Sequence, residues 1–499
     1  MAGDRLLAFD LGAESGRAVV GTLADGRIAL AEVHRFANRP VRMLNSLYWD
    51  VGLLWEELKA GLKKAAREGG AVRSLGVDTW GVDFGLLAAD GSLLGQPFHY
   101  RDERTANVLD RVFRRVPRPE LFRATGLQFL PFNTLFQLFT MAEAGAPALA
   151  AADKLLWMAD LFHYWFTGRA VAEYTLASTG QMLDPHTQCW AEPLLGRLGI
   201  PLRFLPEIVP PGTVLGGLHG SVLAEMQGLG LERAVVVAPA EHDTGAAVAA
   251  VPGVGERWAY ISSGTWSLMG VELTAPRVDD CALRYNFTNE GGIEGTVRFL
   301  KNIAGLWLVQ ECRRAWAEAG TEYDYVRLTE LASAAPPFRS LVDPDAPEFL
   351  TPGKMPEKIS ALCRRTDQPE PGGAGEFVRC ALESLALRYR QTLEELEEAT
   401  GRSVERIHVV GGGSRNSLLC QFSADATGRE VVAGPVEATA LGNIVVQATA
   451  LGLMRDREEG REWIARSFPL IAYRPDPGQA GTWEAAYRRF RGLAASRAV

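Results

Sequence analysis

Cysteine is scarce, with six residues in a chain of 499 and no C-x-x-C pair among them. Such spacing excludes a disulfide-built scaffold and a zinc ribbon. Cys363 and Cys380 stand seventeen apart across a Pro/Gly-rich stretch, so a bridge between them is sterically open. Two reduced thiols are the expected state in a reducing cytosol. The seven histidines form no H-E-x-x-H and no cluster, which removes a zinc hydrolase. No serine occupies a G-x-S-x-G elbow, so a hydrolase triad has no support. Lysine is also rare, seven against 45 arginines, and this reads first as a compositional bias. Long apolar runs are missing too. The best candidate, Asn443 to Met454, is interrupted by Asn443 and Gln447 and falls short of a membrane helix. The N-terminal apolar stretch runs straight into Asp10, unlike a signal peptide, and the chain is expected in the cytoplasm. A net charge of −8 argues against a nucleic-acid partner, because such binding depends on neutralising phosphates.

What remains is an ordinary globular composition, 47% hydrophobic and 22% charged, too long for one core. Two domains are expected, or three. The first thirty residues read as a meander: strand Leu6 to Phe9, turn Asp10 to Gly16, strand Arg17 to Leu23, hairpin turn Asp25-Gly26, strand Ile28 to Phe36. Leu53, Leu54, Leu58 and Leu62 give Val51 to Arg67 a helical period, opened by Asp50 as N-cap. Val72 to Val77 and Ala234 to Ala238 read as buried strands. Helices are expected over Glu103 to Arg115, Asn133 to Ala144 and Asp160 to Phe166. Near the midpoint, Trp258 to Glu272 repeats the strand, small-residue turn, strand pattern of Leu6 to Gly21, the mark of a duplicated unit. The second half then supplies a long helix, Glu376 to Thr400, with an acidic face (Glu394, Glu395, Glu397, Glu398) and a stop at Gly401. Strand Ile407 to Val410, a Gly411-Gly-Gly413 loop, helix Asn416 to Ala426, strand Val431-Val432 and helix Val436 to Leu451 follow, and Ala334 to Gly353 reads as loop. The pattern is that of α/β domains with a boundary near Pro252-Gly253, whose two halves face each other across a cleft.

Polar residues gather at the strand ends. Asp10-Leu-Gly-Ala-Glu-Ser-Gly-Arg17 places a carboxylate, glycines and a hydroxyl in one turn. Glycine lets backbone approach a phosphate and the carboxylate can hold Mg²⁺ or its waters, although an unliganded Asp-Gly turn fits as well. Ser262-Ser-Gly-Thr265 offers a second such turn, or a plain hairpin. One in each half suggests a phosphate chain gripped twice. Gly411-Gly-Gly413, between strand and helix, fits a nucleotide contact or a tight turn; it lacks the dinucleotide fingerprint, since position 416 is Asn. Asp78, Trp80, Gly81 and Asp83 form a polar-aromatic cluster suited to a sugar, with Trp80 equally suited to the core. Glu241-His-Asp-Thr244 is the sharpest signal. Asp243 can take a proton from a hydroxyl, cap a helix starting at Thr244, or do both.

Together these residues resemble the FGGY family of carbohydrate kinases, from Asp10-Leu-Gly to Phe468. The stretches most similar are Asp78 to Phe84, Gln128 to Thr134, His242-Asp-Thr244, Ser262 to Gly270, Leu300 to Trp307, His408 to Gly413 and Ala433 to Ala438, and they point to the branch acting on L-rhamnulose. The resemblance implies two similar α/β domains of the actin/hexokinase (ribonuclease H-like) fold flanking a cleft, residues 1–247 and 248–499. It implies transfer of phosphate from Mg-ATP to L-rhamnulose, with Asp243 as general base. Gly81, His242, Asp243, Thr244 and Asn302 would contact the sugar. Ala13, Glu14, Ser15, Gly16, Arg17, Thr265, Gln310 and Gly412 would contact ATP, with Asp10 near Mg²⁺. Two residues depart from the family's habit of small side chains, Glu14 in the first phosphate turn and Glu241 beside His242. Another sugar kinase, such as one for L-fuculose, would keep the fold and the base. An actin-like chaperone or filament would leave Asp243 without a purpose, and so would a sugar-binding regulator. A monomer or small homo-oligomer is expected.

Overall fold

The computed structural model describes residues 3–495 and divides the chain into two compact units. The first unit comprises Met1–Pro252, Glu272–Phe299 and Ala438–Phe468; the second comprises Gly253–Val271, Leu300–Glu437 and Pro469–Val499.

In the first unit Leu6, Leu7, Ala8 and Phe9 are wholly shielded from solvent. A strand covered on both faces needs such an unbroken apolar run. This strand, Asp4–Leu11, is central in a six-stranded sheet with the order Thr213–Gly217, Val235–Ala238, Ser74–Thr79, Asp4–Leu11, Ser15–Ala24, Arg27–Ala37. It pairs antiparallel with Ser15–Ala24 and parallel with Ser74–Thr79, in a register that puts Asp10 beside both Arg17 and Asp78. The hairpin turn falls at Asp25 and Gly26, both with positive φ, as a two-residue turn between twisted strands requires. Helix Val51–Arg67 opens with Asp50 accepting from the Leu53 N–H, and helix Met158–Thr167 packs against the same sheet.

The second unit repeats the opening motif. Trp258–Ser263 pairs antiparallel with Trp266–Leu273 and parallel with Arg406–Val410, which is followed by Glu430–Ala433 and the antiparallel Ile471–Tyr473. Helix Ala374–Thr400 ends at Gly401 in the left-handed region, as Gly at that position allows. Among the described residues no helix is long and apolar enough to cross a membrane.

Three expectations need correction. The helix expected over Glu103 to Arg115 is a single 3₁₀ turn, Glu103–Thr105, and a short helix, Val108–Phe113. Asn107 separates them at φ +54°, a conformation Asn tolerates because its short polar side chain bonds locally. The run Glu394 to Glu398 is not one solvated face: Glu395 turns inward, where it pairs with Lys301. At about 100° per residue Glu395 stands at one edge of the arc that the four glutamates cover, next to the buried side of the helix. The third concerns the cap before Asp243, and belongs to the site. Cys363 and Cys380 are both buried and both free thiols, the reduced state expected for them.

Candidate functional site

The first unit brings its sequence-derived residues to neighbouring strand ends. The turn Gly12 to Glu14 is closed by the Gly12 N–H donating to the Ser15 carbonyl at 2.9 Å. Asn38, which no motif singled out, braces it from both sides. Its backbone N–H donates to the Glu14 carbonyl at 3.0 Å and its side-chain amide to the Gly12 carbonyl at 2.8 Å. Gly16 is required by crowding, because a Cβ there would lie 2.2 Å from the Phe36 ring. Ala13 and Ser15 are half-buried and Glu14 is exposed. Glu14, which departs from the family's pattern, is thus a surface residue of the turn. Arg17 forms an ion pair with the buried Asp10 across the hairpin.

Asp78 lies beside Asp10 in the sheet and is completely buried. One of its oxygens accepts from Asn443 at 2.6 Å; the other, Oδ1, has no hydrogen-bond partner. Burial, then the charge of Asp10, push its carboxyl well above the usual range, with a further contribution from Asp243. Asn443 and Gln447 belong to helix Ala438–Ala450, the apolar stretch that failed as a membrane span. Gln447 donates to the Leu7 carbonyl and accepts from Ser74 Oγ, so two polar side chains four residues apart clamp the central strands. That i, i+4 pair of amides inside an apolar helix is the signal the sequence carries for this clamp. Gly442 on the same helix lets helix Asp243–Ala249 approach so closely that a Cβ would sit 1.7 Å from the Ala246 carbonyl oxygen.

Asp243 opens that helix. His242, not Asp243, occupies the cap position, and its side chain caps nothing. Asp243 Oδ1 instead accepts from the Thr244 N–H at 2.5 Å and from Thr244 Oγ1 at 3.1 Å. The shift of one residue reflects how little separates a cap from a first helical residue. Asp243 Oδ2 accepts from no group among the described residues. Burial and, to a lesser degree, the charge of Asp10 raise the Asp243 carboxyl, against the pull of His242 and Thr244. The turn itself is held from below. The Thr79 N–H donates to the Glu241 carbonyl at 2.8 Å, the Glu241 N–H to Glu173 at 3.1 Å, and the His242 N–H to Thr175 Oγ1 at 3.3 Å.

The Trp80 to Asp83 cluster is a brace. Asp83 accepts from Trp49 at 2.6 Å, Trp80 at 3.1 Å, Gln137 at 3.0 Å and the Tyr100 N–H at 3.1 Å, so its oxygens are fully engaged. Trp80 packs against Trp49 with ring centroids 4.0 Å apart and planes tilted by 35°, and it is buried in the core. The Asp83 N–H donates to the Gly81 carbonyl at 2.9 Å, closing a γ-turn around Val82 at φ +69°. That hand of γ-turn is rare and strained, more so for a β-branched residue. Strain of this kind collects where backbone is being aimed at a ligand. Gly81 packs against Thr179 and could not carry a side chain, since a Cβ would meet Thr179 Oγ1 at 2.9 Å.

The second unit holds the remaining residues. Thr265 sits in the tip of the Trp258–Leu273 hairpin, its carbonyl accepting from the Gly305 and Trp307 N–H groups. The triple glycine divides by role. A Cβ on Gly413 would lie 2.0 Å from Ser263 Oγ, and one on Gly411 3.0 Å from the Ser263 carbonyl oxygen, whereas Gly412 faces open space. Gln310, on helix Trp307–Glu318, has a buried Oε1 without a hydrogen-bond partner. Asn302 lies half-buried on strand Val297–Ala304.

Among the described residues no three His, Cys, Asp or Glu side chains converge into a metal cage. Mg²⁺ does not require one, because it keeps several waters and takes one or two carboxylates together with substrate phosphates. The orphaned Asp78 Oδ1 beside Asp10 fits that donor set.

The comparisons agree with this architecture. Residues 5–250 match the N-terminal domain, and residues 259–451 the C-terminal domain, of the FGGY family of carbohydrate kinases. The chain is 46% identical over 484 residues to a rhamnulokinase of Bacteroides thetaiotaomicron, covering 97% of this chain and 98% of that one. It is 43% identical to a rhamnulokinase of Enterococcus faecalis, covering 94% of each. In fold it is similar to a gluconate kinase of Lactobacillus acidophilus, with a TM-score of 0.81 at 16% identity over 99% of this chain and 98% of that one. By the match of both domains and by relatives that align nearly end to end, the chain belongs to the FGGY family of carbohydrate kinases.

Proposed function

We propose that this carbohydrate kinase transfers the γ-phosphoryl group of ATP to the primary hydroxyl of L-rhamnulose, giving ADP and L-rhamnulose 1-phosphate. The observation that carries the substrate is the 46% identity to a rhamnulokinase across almost the whole of both chains. In the mechanism, Asp243 is the base. Its Oδ1 is tied to Thr244, which orients the carboxylate and leaves Oδ2 to receive the hydroxyl proton. The raised affinity of Asp243 for protons makes it a better acceptor than an ordinary carboxylate. As the O–H bond breaks, the sugar oxygen forms its bond to the γ-phosphorus, and the bond to the β,γ-bridging oxygen breaks in line, releasing ADP. Asp10 and Asp78 would hold Mg²⁺ or its waters, and the ion would neutralise charge on the phosphates. Arg17, the backbone of Ala13 to Gly16, Thr265, Gly412 and the unpaired Gln310 Oε1 are the groups offered to ATP; Gly81, His242, Thr244 and Asn302 are those offered to the sugar.

The test is ADP release with Mg-ATP and a panel of L-rhamnulose, L-fuculose, D-ribulose, D-xylulose and glycerol. Preference for L-rhamnulose is expected, and preference for L-fuculose would reassign the substrate within the family. Asp243→Asn should fold as wild type, keep its KM for the sugar within a few-fold, and lose about 10²–10⁴ in kcat, the span that a positioned general base contributes. Turnover near wild type in that variant would remove Asp243 from the role.

A further inference from the structure

Arg298 lies beneath the first turn of helix Asp243–Ala249 and has no solvent exposure at all. A guanidinium is kept in such a place only when its charge is matched and its donors are used. Its Nε donates to the Gly291 carbonyl at 2.7 Å and its Nη1 stands 3.1 Å from Glu290 Oε2. Its Nη2 stands 3.1 Å from Nδ1 of His242. Arginine has donors and no acceptor, so a hydrogen bond at that distance requires Nδ1 to be the acceptor and to carry no proton. The proton of a neutral imidazole then sits on Nε2, which is 3.5 Å from Asp243 Oδ1. Contacts of this length at a catalytic base tighten when substrate binds.

One competing arrangement exists. Nδ1 is also 3.3 Å from Glu290 Oε2 and could donate to it. That proton would point into the hydrogens of Arg298 Nη2, and the contact is the longer of the two. Burial pulls the Glu290 carboxyl up, and the Arg298 charge together with His242 holds it below the usual range, so Glu290 stays the counter-charge of Arg298 in either arrangement.

We propose that Arg298, neutralised by Glu290, is a positioning residue that fixes His242 as its Nε2–H tautomer, so that the imidazole faces Asp243 Oδ1 with a donor and Oδ2 is left as the basic oxygen. The proposal rests on the reading of Asp243 as the base, and neither of the two surrounding residues reaches the reacting atoms. An Arg298 that served only to fill space would leave the tautomer indifferent.

The experiment is a two-bond ¹H–¹⁵N correlation spectrum of the full chain with ¹⁵N-labelled histidine, with the His242 signals identified by their loss in His242→Asn. Protonated and unprotonated ring nitrogens are well separated in such spectra. In the wild type Nε2 is expected to carry the proton. Arg298→Met should move it to Nδ1, toward Glu290, and lower kcat by about ten- to hundredfold with KM for ATP and sugar within about threefold, the scale on which an outer-shell partner of a site acts. Arg298→Lys, still a donor-only cation, should keep the Nε2 proton and most of kcat. A protonated Nδ1 in the wild type overturns the proposal, and so does full kcat in a folded Arg298→Met. The wild-type spectrum needs no variant, so a failure of Arg298→Met to fold leaves the proposal testable. If Asp243→Asn remained active while the spectrum came out as expected, the base would be wrong and the tautomer right.

Discussion

At the scale of single residues, the site rests on groups whose protonation is set by burial. Asp160 and Glu241 are neighbouring carboxyls fully enclosed behind the His242–Asp243 turn, and each keeps one oxygen, Oδ2 and Oε2, that accepts from no N–H or hydroxyl donor among the described residues. Burial first, then neighbouring carboxylates, push both well above the usual range. Two facing carboxylates in a dry place cannot both be charged, so the pair shares at least one proton. His163 completes the arrangement as a neutral imidazole, pushed down to about 3 by burial. Its Nε2 accepts from the Val77 N–H at 2.9 Å, so Nδ1 is the donor to Glu241 at 2.7 Å. Asp160→Asn keeps an N–H donor where the shared proton was and should change stability by less than about 1 kcal/mol. Asp160→Ala removes the partner of a buried carboxyl and should cost about 1–3 kcal/mol. Urea unfolding of the two variants decides it, and equal losses would mean that the shared proton is not what the pair supplies. The departure of Glu241 from the family's small residue thus has a physical account in this chain: it is one end of a buried proton-sharing pair, held off the substrate side.

At the scale of elements, what could be read from the sequence was what repeats or alternates. The meander from Asp4 to Ala37, helix Val51–Arg67 with Asp50 as its cap, and the repeated hairpin at Trp258–Leu273 follow from apolar runs, turn residues and a period, and the structure has all of them. The elements that could not be read owe their form to partners distant in sequence. Nothing near Asn443 indicates that its amide meets Asp78, 365 residues earlier. Nothing near Asp83 indicates that four donors from separate segments will occupy its oxygens. The triple glycine shows the same division in three consecutive residues, since its spacing marks a strand-to-helix turn but not which member packs. Gly413→Ala would press on Ser263 and should destabilise by about 1–3 kcal/mol, as overpacking does. Gly412→Ala meets nothing within 4 Å and should unfold as wild type, yet raise the KM for ATP. Melting curves beside ATP kinetics check the pair. An unchanged KM in Gly412→Ala would take that glycine out of the nucleotide site.

At the scale of the whole molecule, the chain stores protons, and this makes its stability depend on pH in a definite direction. Burial raises Asp83 to about 6 and Glu173 and Glu383 to about 7, with Asp78, Asp160 and Glu241 raised further in the same sense. A carboxyl raised on folding binds its proton more tightly in the native state. Its contribution is present at low pH and is lost as pH rises through the folded value. Three groups oppose this at other pH values. His99 and His163, both lowered to about 3 by burial, make the unfolded chain the better proton binder below about 6.5. Lys301, lowered to about 8 by burial, does so above that value. Between pH 6.5 and 8 the carboxyls therefore act with the least opposition, and the free energy of unfolding should fall there. Each proton held only by the native state contributes a slope of about 1.4 kcal/mol per pH unit. Urea unfolding of the metal-free protein at half-unit steps across this window measures the slope, and Asp160→Asn, which removes one titrating carboxyl, should flatten it. A stability that rises from pH 6.5 to 8 would mean that these carboxyls are ionised in the native protein, and that the shared proton between Asp160 and Glu241 is absent.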